Sequence, residues 1–167
     1  MTWILLLIAC GPEPDVVLNG LSSPNPTIRE GVVKVARNID DPAVTQALID
    51  ALDDPSVTVR SGAAESLGLQ DAVSSVQDLL GLLDDSEALV QRAAIDALGQ
   101  IAHPDATLPL IAYVEAQETP PLNALWALGE IGDRRSMDLL DRLRSHEDPY
   151  VSFNADRALQ KLPMSAG

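Results

Sequence analysis

Few side chains in this 167-residue chain could carry out chemistry. The sequence has one cysteine, Cys10, and two histidines, His103 and His146, which fall between predicted helices. A nucleophilic cysteine needs a base within hydrogen-bond reach, and the sequence places neither histidine beside Cys10. A single cysteine also excludes an internal disulfide and a multi-cysteine zinc site. We therefore predict no catalytic residue, no metal and no cofactor, and we expect both histidines to be solvated loop residues.

Adjacent aspartates are the other groups that could bind a ligand, because calcium prefers carboxylate oxygens. The sequence contains three such pairs: Asp40-Asp41, Asp53-Asp54 and Asp84-Asp85. They lie in short predicted turns and lack the twelve-residue ligand spacing of a calcium-binding loop. Aspartate is common just before a helix, where its carboxylate accepts a backbone N–H. We predict that these residues cap helices rather than bind metal.

The first ten residues differ in kind from the rest. Trp3 to Ala9 is an unbroken apolar run, too short to span a bilayer but suited to the apolar region of a secretory signal. The residues Leu7-Ile8-Ala9-Cys10 resemble the lipobox of bacterial lipoproteins, in which the signal is cleaved before a cysteine that then receives lipid. The resemblance implies a signal peptide over 1–9, a lipidated Cys10 that begins a tether over 10–15, and a membrane anchor at the cell envelope.

The outer membrane, on its periplasmic side, is the location that the resemblance favours for such a protein. One alternative is a buried N-terminal strand or helix in which Cys10 acts as a small apolar residue. In that case the location would be cytoplasmic.

A repeat of about 31 residues defines the elements that must position any site. Apolar triplets spaced i, i+4, i+8 recur, and this spacing puts three side chains on one face of an α-helix. The triplets are Ile28/Val32/Ala36, Val59/Ala63/Leu67, Val90/Ala94/Leu98, Pro120/Ala124/Leu128 and Val151/Ala155/Leu159. A second apolar set precedes each triplet with nearly the same period. The sequence thus predicts an all-α fold of five helix pairs between about Pro14 and Pro163.

Turn residues agree with this division. Thr119 and the aspartate-rich turns are predicted N-caps of the second helix of each pair. Gly68, Gly99 and Gly129 follow the last apolar residue of a triplet, where glycine often ends a helix in the left-handed conformation. Since one helix pair cannot bury its apolar face alone, the pairs must stack into a solenoid.

The residues from Asp54 to Gly68 (DPSVTVRSGAAESLG) look like a HEAT repeat in its short bacterial, phycobilin-lyase-type form. The segment Ala127-Leu128-Gly129-Glu130-Ile131-Gly132-Asp133 is similar to the junctions of that form. The resemblance implies an α-solenoid of about five stacked two-helix repeats over 16–163, followed by a C-terminal tail over 164–167. It also implies that Arg60 pairs with the turn aspartate six residues earlier, Asp54.

In HEAT solenoids the second helices line the concave face, so their outward positions are the place to look for a partner. A spacing of 100° per residue from Val59 puts Thr58, Ser61 and Glu65 outward. In the last two repeats the equivalent positions become apolar. The residues concerned are Leu122, Trp126, Tyr150 and Phe153, with Arg92 and Arg157 nearby.

Exposed aromatic residues are typical of protein recognition surfaces. We predict that the four apolar residues contact a protein or peptide and that the two arginines select its polar groups. The alternatives are that the apolar residues cover the C-terminal end of the solenoid or that they mediate self-association.

The formal charge of −14 is concentrated in the middle of the chain. Residues 38–133, which we call the acidic block, hold 17 acidic residues against Arg60 and Arg92. Nucleic acid is an unlikely partner for such a surface, because binding to phosphates depends on lysine and arginine. A partner that used the acidic block would be basic beside an apolar anchor.

Together these observations predict a non-enzymatic HEAT-repeat scaffold or adaptor, anchored by lipid at a bacterial envelope. Two alternatives stay open. One is an accessory protein of an enzyme that handles a cofactor or chromophore. The other is a cytosolic regulatory scaffold, which applies if the leader is not a signal.

Overall fold

The computed structural model describes residues 13–163. Cys10, the predicted signal peptide and the predicted C-terminal tail lie outside these residues. The described chain is helical and has no strand, which agrees with the predicted all-α fold. Its ten α-helices are α1 Pro14–Leu21, α2 Pro26–Ala36, α3 Pro42–Asp50, α4 Val57–Leu69, α5 Val76–Gly81, α6 Ala88–Ile101, α7 Thr107–Ala116, α8 Leu122–Ile131, α9 Met137–Leu143 and α10 Pro149–Lys161.

These helices form five pairs, each with a first helix (α1, α3, α5, α7, α9) and a second helix (α2, α4, α6, α8, α10). Each second helix packs against the second helix of the next repeat, so that the five form a continuous row. The triplets that begin at Val59 and Val90 are fully buried, which confirms the predicted core face. Ile28, at the equivalent position of the first pair, is 48% exposed because the described chain has no earlier pair to cover it.

The prediction that Gly68, Gly99 and Gly129 end helices is wrong. All three are buried inside α4, α6 and α8. A Cβ atom at Gly129 would lie 2.8 Å from the Cα atom of Ala158, and one at Gly68 would lie 2.8 Å from the Cα atom of Ala97. These glycines therefore let consecutive second helices approach until their backbones touch, a role that glycine fills because it has no side chain.

The left-handed residues lie three positions further along the chain. Asp71, Ala102 and Gly132 recur at the repeat period and have φ angles of 53°, 52° and 66°. Two of the three are not glycine, although a Cβ atom makes this conformation unfavourable by roughly 1–2 kcal/mol. The turns after α4, α6 and α8 thus share this backbone geometry although the residue type differs, whereas no residue in the turn after α2 has a positive φ angle.

We expect Ala102→Gly to raise the free energy of unfolding, because glycine removes the strain at φ 52°. The expected gain is about 0.5–1 kcal/mol, since glycine also adds entropy to the unfolded chain. Urea denaturation monitored by circular dichroism measures it. The reciprocal variant Gly132→Ala is the matched control and should lose stability at the equivalent position. A stability loss in Ala102→Gly would contradict the argument.

The prediction that Arg60 pairs with Asp54 is also wrong. Arg60 binds the carboxylate of Asp85 in the next repeat through two hydrogen bonds of 2.8 and 3.0 Å. It reaches Asp54 only through that residue's backbone carbonyl, at 2.9 Å. The Asp54 carboxylate is bound instead by Arg29 of the preceding repeat, at 2.6 and 2.8 Å. Each arginine therefore joins its own turn to the turn of the following repeat.

The third junction replaces this charged connection with a neutral one. Gln91 occupies the position of Arg60 and donates to the backbone carbonyl of Asp85 at 2.6 Å. The hydroxyl of Tyr113 donates to the Gln91 side chain at 3.0 Å, and burial raises the pKa of this phenol. The first three repeats are thus linked by ion pairs, whereas the third and fourth are linked by neutral hydrogen bonds.

The capping predictions hold in part. Asp41 caps α3 by accepting the N–H groups of Ala43 and Val44. Asp54 and Asp85 each accept an N–H from the residue two positions on, Ser56 and Glu87, and so shape the turn before the helix rather than cap it. Thr119 does not cap α8, which follows Pro121 and has no side-chain cap.

Asp133, in the connection between α8 and α9, makes the free energy of unfolding depend on pH. The hydrogen bonds from Arg135 lower the pKa of Asp133 from 3.8 to about 2. A carboxyl group whose pKa is lower in the folded protein stabilises it fully above its unfolded pKa. This contribution disappears as the pH falls through the folded pKa. For Asp133 the relevant window therefore runs from roughly pH 4 down to about pH 2.

We expect the urea midpoint of the wild type to fall across this window, and Asp133→Asn to remove part of that fall. Asparagine keeps the hydrogen-bond acceptor but does not titrate, so the difference between the two proteins should disappear only at the acid end. Asp105→Asn is the control, because that carboxylate is exposed and makes no hydrogen bond to Arg135. Parallel pH profiles for wild type and Asp133→Asn would contradict the assignment.

Candidate protein-binding surface

The four predicted apolar contact residues lie on two neighbouring second helices. Leu122 and Trp126 are one turn apart on α8, and Tyr150 and Phe153 are one turn apart on α10. Tyr150 is 72% exposed, Phe153 is 59% exposed and Leu122 is 39% exposed, whereas Trp126 is half-buried. We call these four residues the aromatic patch. Because large apolar side chains gain free energy when they leave water, this patch is a candidate contact surface.

Trp126 has a structural role as well as an exposed edge. Its indole ring lies over Gly99 of α6, where a Cβ atom would be 2.5 Å from the ring atom Cζ3. The ring also packs against the hydrophobic core. The absence of a side chain at Gly99 therefore creates the space that holds the tryptophan, and the ring is fixed before any partner arrives.

The indole of Trp126 also lines a shallow cleft between α8 and α10. The cleft is formed by Trp126, Asn154, Arg157, Ala158 and Lys161. The guanidinium carbon of Arg157 lies 5.9 Å from the centroid of the Phe153 ring, a distance at which a cation is attracted to the aromatic face. Arg157 thus lines the cleft with Trp126 and also lies near the ring of Phe153, which is not among the residues that form the cleft.

Arg157 makes no hydrogen bond or ion pair with another residue in 13–163, so its donors are available there. Lys161, by contrast, forms an ion pair with Glu130. Asn154 donates its amide N–H to the backbone carbonyl of Tyr150 at 2.8 Å, which leaves its side-chain oxygen directed elsewhere. The cleft therefore combines an apolar wall with an available guanidinium group.

Arg92 lies one repeat earlier and does not line this cleft. Its side chain is 75% exposed on α6, and its Nε atom is 3.8 Å from a carboxylate oxygen of Asp96. Asn123 of α8 donates to the same aspartate at 3.0 Å. The two predicted selecting arginines thus lie on different helices, and only Arg157 lines the cleft.

Sequence reasoning missed Asn154 and Lys161 as members of the cleft. One signal was present, because Asn123 and Asn154 are 31 residues apart and so occupy equivalent positions on α8 and α10. The prediction that Ser61 points outward is wrong, since it is only 5% exposed. It is covered because α4 packs between α2 and α6, and a helical wheel drawn for one repeat does not include those neighbours.

Charge changes sign along the row of second helices. The positions equivalent to Trp126 are Lys34 in α2, Glu65 in α4, Asp96 in α6 and Arg157 in α10. Glu65 is exposed, and it forms no ion pair or hydrogen bond with another residue in 13–163. The row therefore offers a cation in the first repeat, anionic groups in the second and third, an aromatic group in the fourth and a second cation in the fifth.

The two histidines lie apart from the cleft. His103 and His146 lie in connections between helices, as predicted, and each accepts one backbone N–H through Nδ1. In the part of the chain that the structure describes, no three His, Cys, Asp or Glu side chains are grouped so as to hold a metal ion. No helix among residues 13–163 has the length and apolar character needed to cross a membrane.

Comparison with protein families gives the classification. A family described as HEAT repeats matches residues 14–90 and 47–122, which together span more than half of the chain. The protein belongs to the HEAT-repeat family. A family described as PBS lyase HEAT-like repeat matches residues 121–144. The helix pairs described above are therefore HEAT repeats, and the predicted fold class is confirmed. No curated protein sequence matches the chain.

Several solved structures share this fold. A chain from the complex of CpcE and CpcF of phycocyanin lyase from Nostoc sp. PCC7120 has a TM-score of 0.79 and 24% identity. The match covers 91% of this chain and 66% of that one, so the protein spans about two thirds of that lyase chain.

A designed armadillo repeat protein in complex with the peptide (KR)4 has a TM-score of 0.67 and 21% identity, covering 88% of this chain and 80% of that one. A structure of computationally designed armadillo repeat proteins for modular peptide recognition has a TM-score of 0.62 and 21% identity. The match covers 88% of this chain and 81% of that one. At these identities the likeness concerns the fold.

Proposed function

We propose that the protein is a non-enzymatic scaffold that binds a protein or peptide on the face formed by its second helices. The observation that carries this proposal is the aromatic patch, in which Tyr150 and Phe153 are mostly exposed beside a fixed Trp126. Rigid aromatic side chains beside an arginine are the usual composition of energetic centres in protein interfaces. Support also comes from designed armadillo repeat proteins of similar fold, one of which is in complex with a peptide.

In this proposal Trp126 and Phe153 are the apolar anchors, and Leu122 and Tyr150 extend the contact area. Arg157 selects polar groups at the cleft, while Arg92 acts one repeat earlier. The two arginines differ in setting, because Arg92 lies near Asp96 and Arg157 lies against an aromatic ring.

The proposal includes a lipid anchor on Cys10, which places the scaffold at the cell envelope on the periplasmic side of the outer membrane. The support for this anchor is the lipobox-like sequence Leu7-Ile8-Ala9-Cys10. These residues lie outside the described structure. Mass spectrometry of the protein from the membrane fraction tests this part. A lipid-modified peptide that begins at Cys10 would support the anchor, whereas an intact, unmodified peptide that begins at Met1 would exclude it.

A second candidate function is an accessory protein of an enzyme that handles a cofactor or chromophore. The likeness to a chain of the CpcE–CpcF complex of phycocyanin lyase favours this candidate. In that case the purified protein should carry an absorbing small molecule or should associate with an enzyme that does. Absorption spectroscopy of the protein purified from its native source separates the two functions.

The scaffold function is tested by affinity capture from envelope extracts with the wild type and with the Trp126→Ala/Phe153→Ala double variant. We expect the wild type to retain a partner that the double variant loses. Circular dichroism must show the same helix content in both proteins, because Trp126 also packs on Gly99. A double variant that folds and still captures the same partner would exclude the patch as the binding site.

A further inference from the structure

The order of charges along the second helices carries a further inference about the partner, which rests on the proposed function. Three arginines of this protein are used for packing: Arg29, Arg60 and Arg135 each bind a carboxylate and a backbone carbonyl. Arg157 has no such partner among residues 13–163 and lies over Phe153. An exposed guanidinium group with available donors, held beside an apolar cleft, is suited to a carboxylate attached to an apolar segment.

Glu65 provides the opposite charge at the equivalent position three repeats earlier. It lies within the acidic block, which contains 17 acidic residues and two basic ones. The net negative charge of this segment favours a cationic partner. Asp96, one repeat further on, is shared between Arg92 and Asn123 and is less available. Glu65 and Arg157 therefore lie on opposite sides of Trp126 along the row, and Lys34 is a further exposed cation one repeat before Glu65.

Helix spacing converts this order into a spacing along a bound chain. Packed helices lie about 8–10 Å apart, and an extended chain advances about 3.3 Å per residue. Trp126 is two repeats from Glu65 and one repeat from Arg157. The apolar residue of a bound segment would thus lie roughly five or six positions from its basic residue and roughly three positions from its acidic residue.

We infer that the second-helix face binds an extended peptide segment of a partner protein with a basic, an apolar and an acidic residue in that order along the row of helices. The basic residue meets Glu65, the apolar residue meets Trp126 and Phe153, and the acidic residue meets Arg157. A segment with the two charges exchanged would place like charges together at both ends, which disfavours binding.

Selection from a displayed library of random twelve-residue peptides tests this inference with the full-length protein. We expect the selected peptides to contain an apolar residue flanked at unequal distances by a basic and an acidic residue. Arg157→Glu should replace the acidic residue with a basic one in the selected set, and Glu65→Lys should replace the basic residue with an acidic one. Arg134→Glu is the control, because it makes the same charge change at an exposed residue off this face.

The possible results separate the inference from the proposed function. Selected peptides that require Phe153 but show no charge preference, or whose preference does not respond to Arg157→Glu, would overturn the inference and leave the scaffold function standing. Selected peptides that do not require Phe153, or no selected peptides at all, would overturn both. A concentration-dependent dimer of the wild type that Phe153→Ala abolishes would assign the patch to a second copy of the chain and would also overturn the inference.

Discussion

Replacing Gly129 with alanine is expected to lower the free energy of unfolding by about 1–3 kcal/mol, although the same change normally favours a helix. The added Cβ atom would lie 2.8 Å from the Cα atom of Ala158, and 3.0 Å from its Cβ atom. Because the obstacle is backbone, no side-chain rotation can relieve it, and α8 and α10 must separate. Such separation also reduces the packing of the core between them.

Gly31→Ala is the matched control for this experiment. Gly31 lies inside α2, and nothing is within 4 Å of the position that its Cβ atom would take. Alanine there should raise the free energy of unfolding by about 0.5–1 kcal/mol through helix propensity alone. Thermal melts should move in opposite directions, by about 2–4 °C per kcal/mol. Two variants that are equally stabilised would show that the close approach at Gly129 is not a constraint.

Replacing Phe153 with alanine is expected to weaken binding of the selected peptides at least about 30-fold, which corresponds to the loss of about 2 kcal/mol typical of an interface anchor. The side chain is 59% exposed, so its removal should leave the fold intact. It also removes the ring that Arg157 lies against, and the arginine then loses its fixed position. Both losses act on the bound state, and fluorescence anisotropy of a labelled peptide measures their sum.

Leu108→Ala is the appropriate control for Phe153→Ala. Leu108 is 54% exposed, a similar fraction, but it lies on α7, in the layer of first helices. Its removal deletes comparable apolar surface away from the aromatic patch, so peptide affinity should stay within about twofold of the wild type if binding is confined to the patch. Equal weakening by the two variants would indicate nonspecific apolar association rather than a defined site.

The periodicity of apolar residues was sufficient to predict the helix pairs, because each triplet reports directly which face is buried. It could not distinguish two reasons for a periodic glycine. A glycine that ends a helix and a glycine at a close contact between helices both recur once per repeat. Gly99 was therefore predicted to end α6, although it lies at a close contact with α8. Of the three residues that take the left-handed conformation, Gly132 and Asp71 are of types that tolerate it, whereas Ala102 has a side chain that gives no signal for it.

Contacts between repeats were harder to predict than contacts within one. Arg60 and Asp54 are six residues apart, whereas Arg60 and Asp85 are 25 apart, and only the stacking geometry shows which carboxylate the arginine reaches. The candidate site also had a part that the sequence could predict and a part that it could not. Aromatic residues could be assigned to the second helices from the period alone, but the contact between Arg157 and Phe153 depends on side-chain conformation.

The arginine connections also have a direction, which matters while the chain is being made. Arg29 and Arg60 both reach forward to an aspartate 25 residues later. Since the N-terminal part of a protein leaves the ribosome first, each arginine emerges before its acceptor does. Every repeat of this kind is therefore locked by the one synthesised after it. A chain truncated before Asp85 would leave the guanidinium group of Arg60 without its carboxylate partner.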